Sequence, residues 1–379
     1  MKILFVATVR SHIGQFHMPL INRLVEAGHC VEAAFKDNSS EKKGLDLSSI
    51  SKTFEVPFER SPFKFSNISA FFKLKKIINE GNYDIIHCHT PMGAVLTRLA
   101  AITARKKGTK VFYTAHGFHF YKGCSKKNWL VFYPIEKFLS RFTDCLILIN
   151  NEDFELAINK RFAAKKIIKT HGVGVDNSKF SKNIYFDEKV LKEKLGIEKD
   201  DLVLMFTADL CNRKNQQMLL YAVATIKNII PKVKLLLPGQ PTLLEEFQEI
   251  VNKLNIEDNV KFLGYRRDIP ELLFITDFVV SSSKQEGLPI NLVEAMSMSK
   301  PMVVTNVRGN SDLIEDGKGG YLIELNNHLE MANKIIELHN NQELCLQMGK
   351  YNLKAAEKFY LSNVLLELKS IYNDFGCEF

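Results

Sequence analysis

Two carboxylates, one ammonium and one imidazole stand where this chain turns from strand to helix. Glu286 and Glu294 belong to Ser283-Lys284-Gln285-Glu286-Gly287-Leu288-Pro289-Ile290-Asn291-Leu292-Val293-Glu294-Ala295-Met296, after an apolar, β-branched run at residues 277–281. That run reads as a buried parallel strand. Gly287 permits a tight turn and Pro289 suits a first helical position. Glu286 is therefore expected in the loop, and Glu294 about one and a half turns inside the helix. Both carboxylates can then face one crevice at the carboxyl end of a sheet, where their oxygens accept hydrogen bonds from hydroxyl-rich ligands such as sugars and ribose. Lys214, in Phe206-Thr207-Ala208-Asp209-Leu210-Cys211-Asn212-Arg213-Lys214-Asn215, follows another strand-like run. A cation there can meet a diphosphate at a helix amino terminus. His116 follows the run at 111–114 and precedes Gly117, again at a strand's carboxyl end. Singly, a surface Glu, a loop Lys or a lone His is more often structural; their combination points to chemistry.

Other positions carry weaker signals. Gly14, in the loop expected after the first strand, lets backbone approach a phosphate or an acceptor, or simply makes a turn. Gly239 ends a strand at 234–237 and Gly264 the next one; either can be an ordinary turn. His87 and Cys88 read as packing, His89 as a cleft residue, and His119 has no clear part. No acidic pair with metal-ligand spacing stands out, the His and Cys residues lack the spacing of a structural zinc site, and no nucleophilic Ser or Cys has an evident base.

These residues need elements to hold them. Strand-like runs at 3–8, 30–35, 85–89, 111–114 and 145–149 alternate with helical patterns at 17–26, 68–79, 94–107 and 128–141. A second series of strands follows at 202–207, 234–237, 260–263, 278–281 and 301–305, and a helical stretch at 352–375 closes the chain. Alternation of this kind predicts an α/β fold of parallel sheets with crossover helices. The 379 residues suffice for two Rossmann-like domains, divided near residue 175, with a cleft between them as the default ligand site. Hydrophobic content of 46% and charged content of 25% are ordinary for a globular protein. No apolar run approaches the roughly 18 residues of a membrane span, and the first residues read as a strand rather than a signal peptide. Seven scattered cysteines predict a reducing cytoplasm without disulfides. Residues 1–180 hold 28 Lys and Arg against 15 Asp and Glu, whereas the remainder holds 23 against 28. A basic amino-terminal half predicts an anionic partner for that half; no nucleic-acid motif accompanies the charge.

The Glu286–Glu294 segment resembles the two-glutamate signature of family 4 glycosyltransferases, retaining enzymes of the two-Rossmann GT-B fold. The resemblance extends over nearly the whole chain. It is nearest to bacterial capsule and exopolysaccharide transferases through Tyr113-Thr114-Ala115-His116-Gly117-Phe118-His119-Phe120-Tyr121-Lys122-Gly123 and Val307-Arg308-Gly309-Asn310. It implies an acceptor-binding domain at 1–175, a nucleotide-sugar domain at 176–355, and a terminal helix at 356–379 crossing back to the first. Within the site it implies His116 facing the donor sugar, Lys214 on the leaving phosphate, Glu286 on sugar hydroxyls and Glu294 on the ribose. Backbone at Gly287 and Leu288 would face the donor, and backbone at Tyr265 and Arg266 the base. Asp209 stands where many members carry a phosphate-binding Arg; Arg213 or Arg308 could replace it. Gly14 and Gly239 each remain from a family pair of glycines.

The implied reaction is retaining transfer of a sugar, such as an N-acetylhexosamine, from a UDP-sugar to a polyprenyl-diphosphate-linked saccharide. It needs no cofactor and no metal, the departing diphosphate helping to deprotonate the acceptor. A UDP-sugar epimerase of the same architecture and a non-catalytic sugar-nucleotide-binding partner are the alternatives. Two stretches mix aromatic and basic residues: residues 59–79, with Phe63, Phe65, Phe71, Phe72 and four lysines, and residues 126–137, with Trp129, Leu130, Phe132, Tyr133 and three lysines. Such mixtures suit either an anionic membrane surface or amphipathic helices packed on a sheet. The resemblance favours peripheral contact at the inner face of the cell membrane.

Overall fold

The computed structural model describes residues 1–40 and 44–379. The chain forms two units, Met1–Val173 with Ser362–Phe379, and Gly174–Leu361. The first holds a parallel sheet of β1 (Lys2–Val9), β2 (Cys30–Lys36), β3 (Lys52–Glu55), β4 (Ile85–His89), β5 (Lys110–Ala115), β6 (Cys145–Leu148) and β7 (Lys166–Lys169), in the order β3-β2-β1-β4-β5-β6-β7. The second holds β8 (Leu202–Met205), β9 (Val233–Pro238), β10 (Val260–Gly264), β11 (Phe278–Ser281), β12 (Met302–Thr305) and β13 (Gly320–Ile323), ordered β10-β9-β8-β11-β12-β13 and again parallel.

Both sheets are covered on two faces, which is why their central strands are continuous apolar runs. In β1, Ile3, Phe5 and Ala7 pack with Ile21 and Leu24 of helix Met18–Glu26, while Leu4 and Val6 pack with Ala70 and Leu74 of helix Ser66–Gly81. In β8, Leu202 and Leu204 meet helix Gln216–Lys227, and Val203 and Met205 meet helix Ile290–Ser297. Period-two side chains thus bury each strand twice.

Three strands were not among those expected: β3, β7 and β13. All three lie at a sheet edge, where one side has no neighbouring strand and polar residues are tolerated. The helix expected at 17–26 is preceded by another, Arg10–Phe16, that starts directly from β1. The helical stretch at 352–375 divides into the end of Gln342–Ala356, a short turn at Glu357–Phe359, and Leu361–Asn373. The second unit therefore reaches Leu361, past the expected end at 355, because Ala356 and Phe359 are buried in its core. There the two chain passes pair: Val175 N donates to Phe359 O (3.0 Å) and Leu361 N to Val175 O (2.8 Å). Gly174, at φ +83°, lies so close that a Cβ would come within 2.7 Å of Leu361 Cα. Residues 362–379 then return to the first unit. Tyr372 is fully buried, its hydroxyl 2.8 Å from His87 Nδ1.

Candidate active site

In the second unit the strand order runs outward from β8 to β9 and β10 in one direction, and from β11 to β12 and β13 in the other. The reversal lies between β8 and β11, and open α/β sheets bind ligands in the crevice beyond such a point. The loop after β8 carries Arg213 and Lys214; the loop after β11 carries Glu286. Ser282 Oγ joins the loops by donating to Lys214 O (3.0 Å) and Asn215 O (2.8 Å), and Lys284 N donates to Arg213 O (2.9 Å). Lys214 Nζ is 2.5 Å from Glu286 Oε1, and Arg213 Nη1 is 3.4 Å from Oε2. The Lys214 and Glu286 side chains are nearly buried, whereas that of Arg213 is half exposed.

The neighbouring strand ends complete the crevice. Beyond β12, Arg308 is buried and its Nε donates to the backbone carbonyl of Glu286 (2.9 Å). The two arginines considered as stand-ins at Asp209 thus meet at one residue, Arg213 on its carboxylate and Arg308 on its backbone. Gly309 packs so tightly on Gly287 that a Cβ would lie 2.8 Å from Gly287 O. On the other side, a Cβ on Gly239 would fall 1.9 Å from Ala208 O, so only glycine lets β9 and the β8 loop pass. Asp209 Oδ1 accepts from Gln240 N (3.1 Å), so its carboxylate has a structural task in the place of the expected cation. Tyr265 is exposed, and Arg266 Nε is held 2.8 Å from Asp268 Oδ1. Glu294 lies in helix Ile290–Ser297, and burial pushes its carboxyl up to about 8. A neutral carboxyl both donates and accepts hydrogen bonds, which suits a vicinal diol. Glu286, Lys214, Arg308, Gly239, Gly287, Leu288, Tyr265 and Arg266 all lie in the loops at the carboxyl-terminal ends of β8–β12, and Glu294 lies in the helix that follows the β11 loop.

Gly14 and His116 belong to the first unit. Gly14 is in helix Arg10–Phe16 rather than in a loop, and a Cβ there would come within 3.0 Å of Leu45 Cβ. Close packing is the reason for glycine at this position. His116 stands just beyond β5 and has company that the sequence did not announce. His12 Nε2 is 3.3 Å from His116 Nε2, and His89 Nδ1 is 3.5 Å from the same atom. His17 stacks on His89 with ring centroids 3.7 Å apart. Burial, reinforced for His12, His17 and His89 by neighbouring imidazoles, lowers the pKa of all four rings. This cluster occupies the ends of β1, β4 and β5, at the first sheet's own reversal point. His119 lies apart, its ring 4.9 Å from that of Phe132.

The two aromatic and basic stretches converge in the first unit. They line one cavity of about 670 Å³ with Phe63, Phe65, Phe72, Phe118, Phe132 and Ile135 among its walls. Phe63, Phe65 and Phe72 are themselves exposed, as is Leu130 nearby in chain. Among the described residues no helix is long and apolar enough to cross a membrane.

A model of glycosyl transferase 4-like proteins matches residues 2–150, and a model of glycosyl transferases group 1 matches residues 187–355. The putative glycosyltransferase EpsD of Bacillus subtilis is 39% identical over 372 residues, covering 98% of this chain and 96% of that protein. The chain belongs to this glycosyltransferase family. As a family 4 glycosyltransferase it is also 29% identical over 313 residues to the UDP-Gal:α-D-GlcNAc-diphosphoundecaprenol α-1,3-galactosyltransferase of Escherichia coli, covering 81% of this chain and 80% of that one. The glycosyltransferase fold matches the crystal structure of Anabaena HepE in complex with UDP and glucose, with a TM-score of 0.82, 23% identity and coverage of 99% and 100%. The architecture is GT-B, as expected.

Proposed function

We propose that this glycosyltransferase moves a hexose or N-acetylhexosamine, with retention, from a UDP-sugar to a lipid-linked saccharide in the assembly of capsular or extracellular polysaccharide. The observation that carries the reading is the Glu286 carboxylate held by Lys214 and Arg213 across the reversal between β8 and β11. Glu286 receives sugar hydroxyls. Lys214 and Arg213 turn to the diphosphate as it leaves, stabilising the charge that develops in the transition state. Protein cations carry that task, and no metal or cofactor takes part in the transfer. Glu294 bonds the ribose, and His116 faces the transferring sugar.

Features of the first unit support this acceptor and this site of action. An apolar cavity of about 670 Å³ with Lys64 in its wall and exposed aromatic residues around it suits an isoprenoid chain and an anionic membrane surface. The Escherichia coli relative is named for a diphosphoundecaprenol substrate. The enzyme then works as a peripheral protein at the inner face of the cell membrane.

The decisive experiment offers a panel of UDP-sugars with and without membrane lipid extract and follows UDP release and product mass. Release that requires lipid, with a sugar-sized mass gain on it, is the expected result. Conversion of the donor without acceptor would replace the reading by epimerisation, and donor binding without turnover by a sugar-nucleotide-binding role.

A further inference from the structure

We infer that His12, His17, His89 and His116 form a binding site for one divalent transition-metal ion of the zinc class, at the reversal point of the first sheet. The four rings each offer a nitrogen, and these atoms all lie within 4.8 Å of one another. With Zn–N bonds of about 2.0–2.1 Å, a tetrahedral ion sets its ligand nitrogens about 3.3–3.4 Å apart. Two of the contacts already have that spacing, His12 to His116 at 3.3 Å and His116 to His89 at 3.5 Å; His17 and His89, stacked with centroids 3.7 Å apart, must part for both to bind one ion in their ring planes.

Hydrogen bonding alone does not account for the cluster. A neutral imidazole carries a single N–H, so His116 Nε2 can make at most one good bond to the two nitrogens it faces. His17 Nε2 and His89 Nε2 are buried with no hydrogen-bond partner among the described residues. Burying unmatched polar nitrogens is costly, and a cation offsets that cost only at the nitrogen it binds; His89 turns Nδ1 to His116, so binding through that atom leaves its Nε2 unmatched. The ligands come from the helix Arg10–Phe16, the junction before helix Met18–Glu26, the end of β4 and the loop after β5. An all-imidazole set suits zinc, copper or nickel rather than magnesium or calcium, which take oxygen ligands. Carbon-bound neighbours such as Phe5, stacked on His89 at 5.9 Å, keep the site shielded on one side. Bound metal occupies the lone pair of His116, so it competes with transfer; this last consequence rests on the proposed function, whereas binding does not.

The full chain, stripped with a chelator, is titrated with Zn²⁺ by calorimetry and with Co²⁺ by absorption. One ion per chain, a rise in Tm, and Co²⁺ d–d bands of a four-coordinate nitrogen site are expected. His89→Ala lowers the affinity by at least about tenfold. Should that variant fail to fold, His12→Gln and His116→Gln, at the less buried side of the cluster, give the same loss. Absence of saturable binding, or equal affinity in the folded variants, overturns the inference. So does a thiolate charge-transfer band, which would place the ion at cysteine, for example Cys377, whose Sγ is 3.5 Å from His29 Nε2. If binding is seen but Zn²⁺ leaves turnover unchanged, the site stands and only its competition with His116 falls.

Discussion

Lys214 and Arg213 each contact Glu286, and in the proposed reaction a donor rearranges both contacts, so their substitution tests that reading. Hydrogen bonds to charged groups contribute about 1.5–3 kcal/mol. Lys214→Ala is therefore expected to lower kcat/KM by roughly 10–100-fold, read from initial rates of UDP release, and also to lower Tm, because the nearly buried Glu286 carboxylate then keeps only Arg213. Glu294 makes a different prediction. Its folded pKa of about 8 lies above the unfolded value near 4.3. The folded chain thus holds a proton that the unfolded chain releases between these values. The resulting stability is whole below about pH 4.3, declines as pH rises, and is gone above about pH 8. Glu294→Gln removes this dependence and should melt above the native protein at pH 8.5, by about 1–2 kcal/mol after allowing for its partial exposure, with a smaller gap at pH 5.5. Donor affinity should fall in the same variant if the carboxyl bonds the ribose. The placing of both glutamates was legible in the sequence, because the Gly287 turn and Pro289 mark the loop and the helix start. The task of Asp209 was not legible, since its partner Gln240 is distant in the chain and meets it only across two strand ends.

At the scale of the elements, the approach of β9 to the β8 loop depends on a missing side chain. Gly239→Ala places a Cβ 1.9 Å from the Ala208 carbonyl, a backbone atom that cannot swing away. The variant should lose at least about 1–3 kcal/mol, seen as a fall in Tm, and should also weaken donor binding because the Asp209 loop moves with Ala208. Central strands could be read from the sequence because both of their faces are buried. β3, β7 and β13, all edge strands, were not read from the sequence, whereas β10, also at an edge, was. The histidine cluster was equally hidden. His12 follows β1, His89 ends β4 and His116 follows β5; a Rossmann-like strand order makes β1, β4 and β5 neighbours, but the side-chain approach of the rings is set only by the folded packing. His116 and His89 were signals at strand ends, whereas His12 and His17 gave none; their convergence needed the tertiary packing.

At the scale of the whole molecule, the aromatic stretches come together only after folding. Separated by more than forty residues in sequence, they line one cavity of the first unit. Replacing Phe63, Phe65, Phe72 and Leu130 by Ser removes side chains that are 62–86% exposed, so stability should change by less than about 0.5 kcal/mol per site. Flotation with anionic vesicles should drop by at least about tenfold, and activity on a water-soluble acceptor should remain. Unchanged flotation would remove the membrane contact from the proposed function and leave the donor site untouched.

Local patterns determined a great deal about this protein. Apolar runs alternating with amphipathic ones marked the two parallel sheets, and the loop after β11 and the Tyr113–Gly123 stretch pointed to a glycosyltransferase. Those signals are local because each is carried by a few consecutive residues and the turn they make. Tertiary structure decided the rest: that Lys214 and Arg213 meet Glu286, that Arg308 holds its backbone, that Gly14 packs within a helix, and that four histidines share one place. Such contacts join residues tens to hundreds of positions apart, and their geometry depends on strand order and burial, which no short stretch of chain encodes.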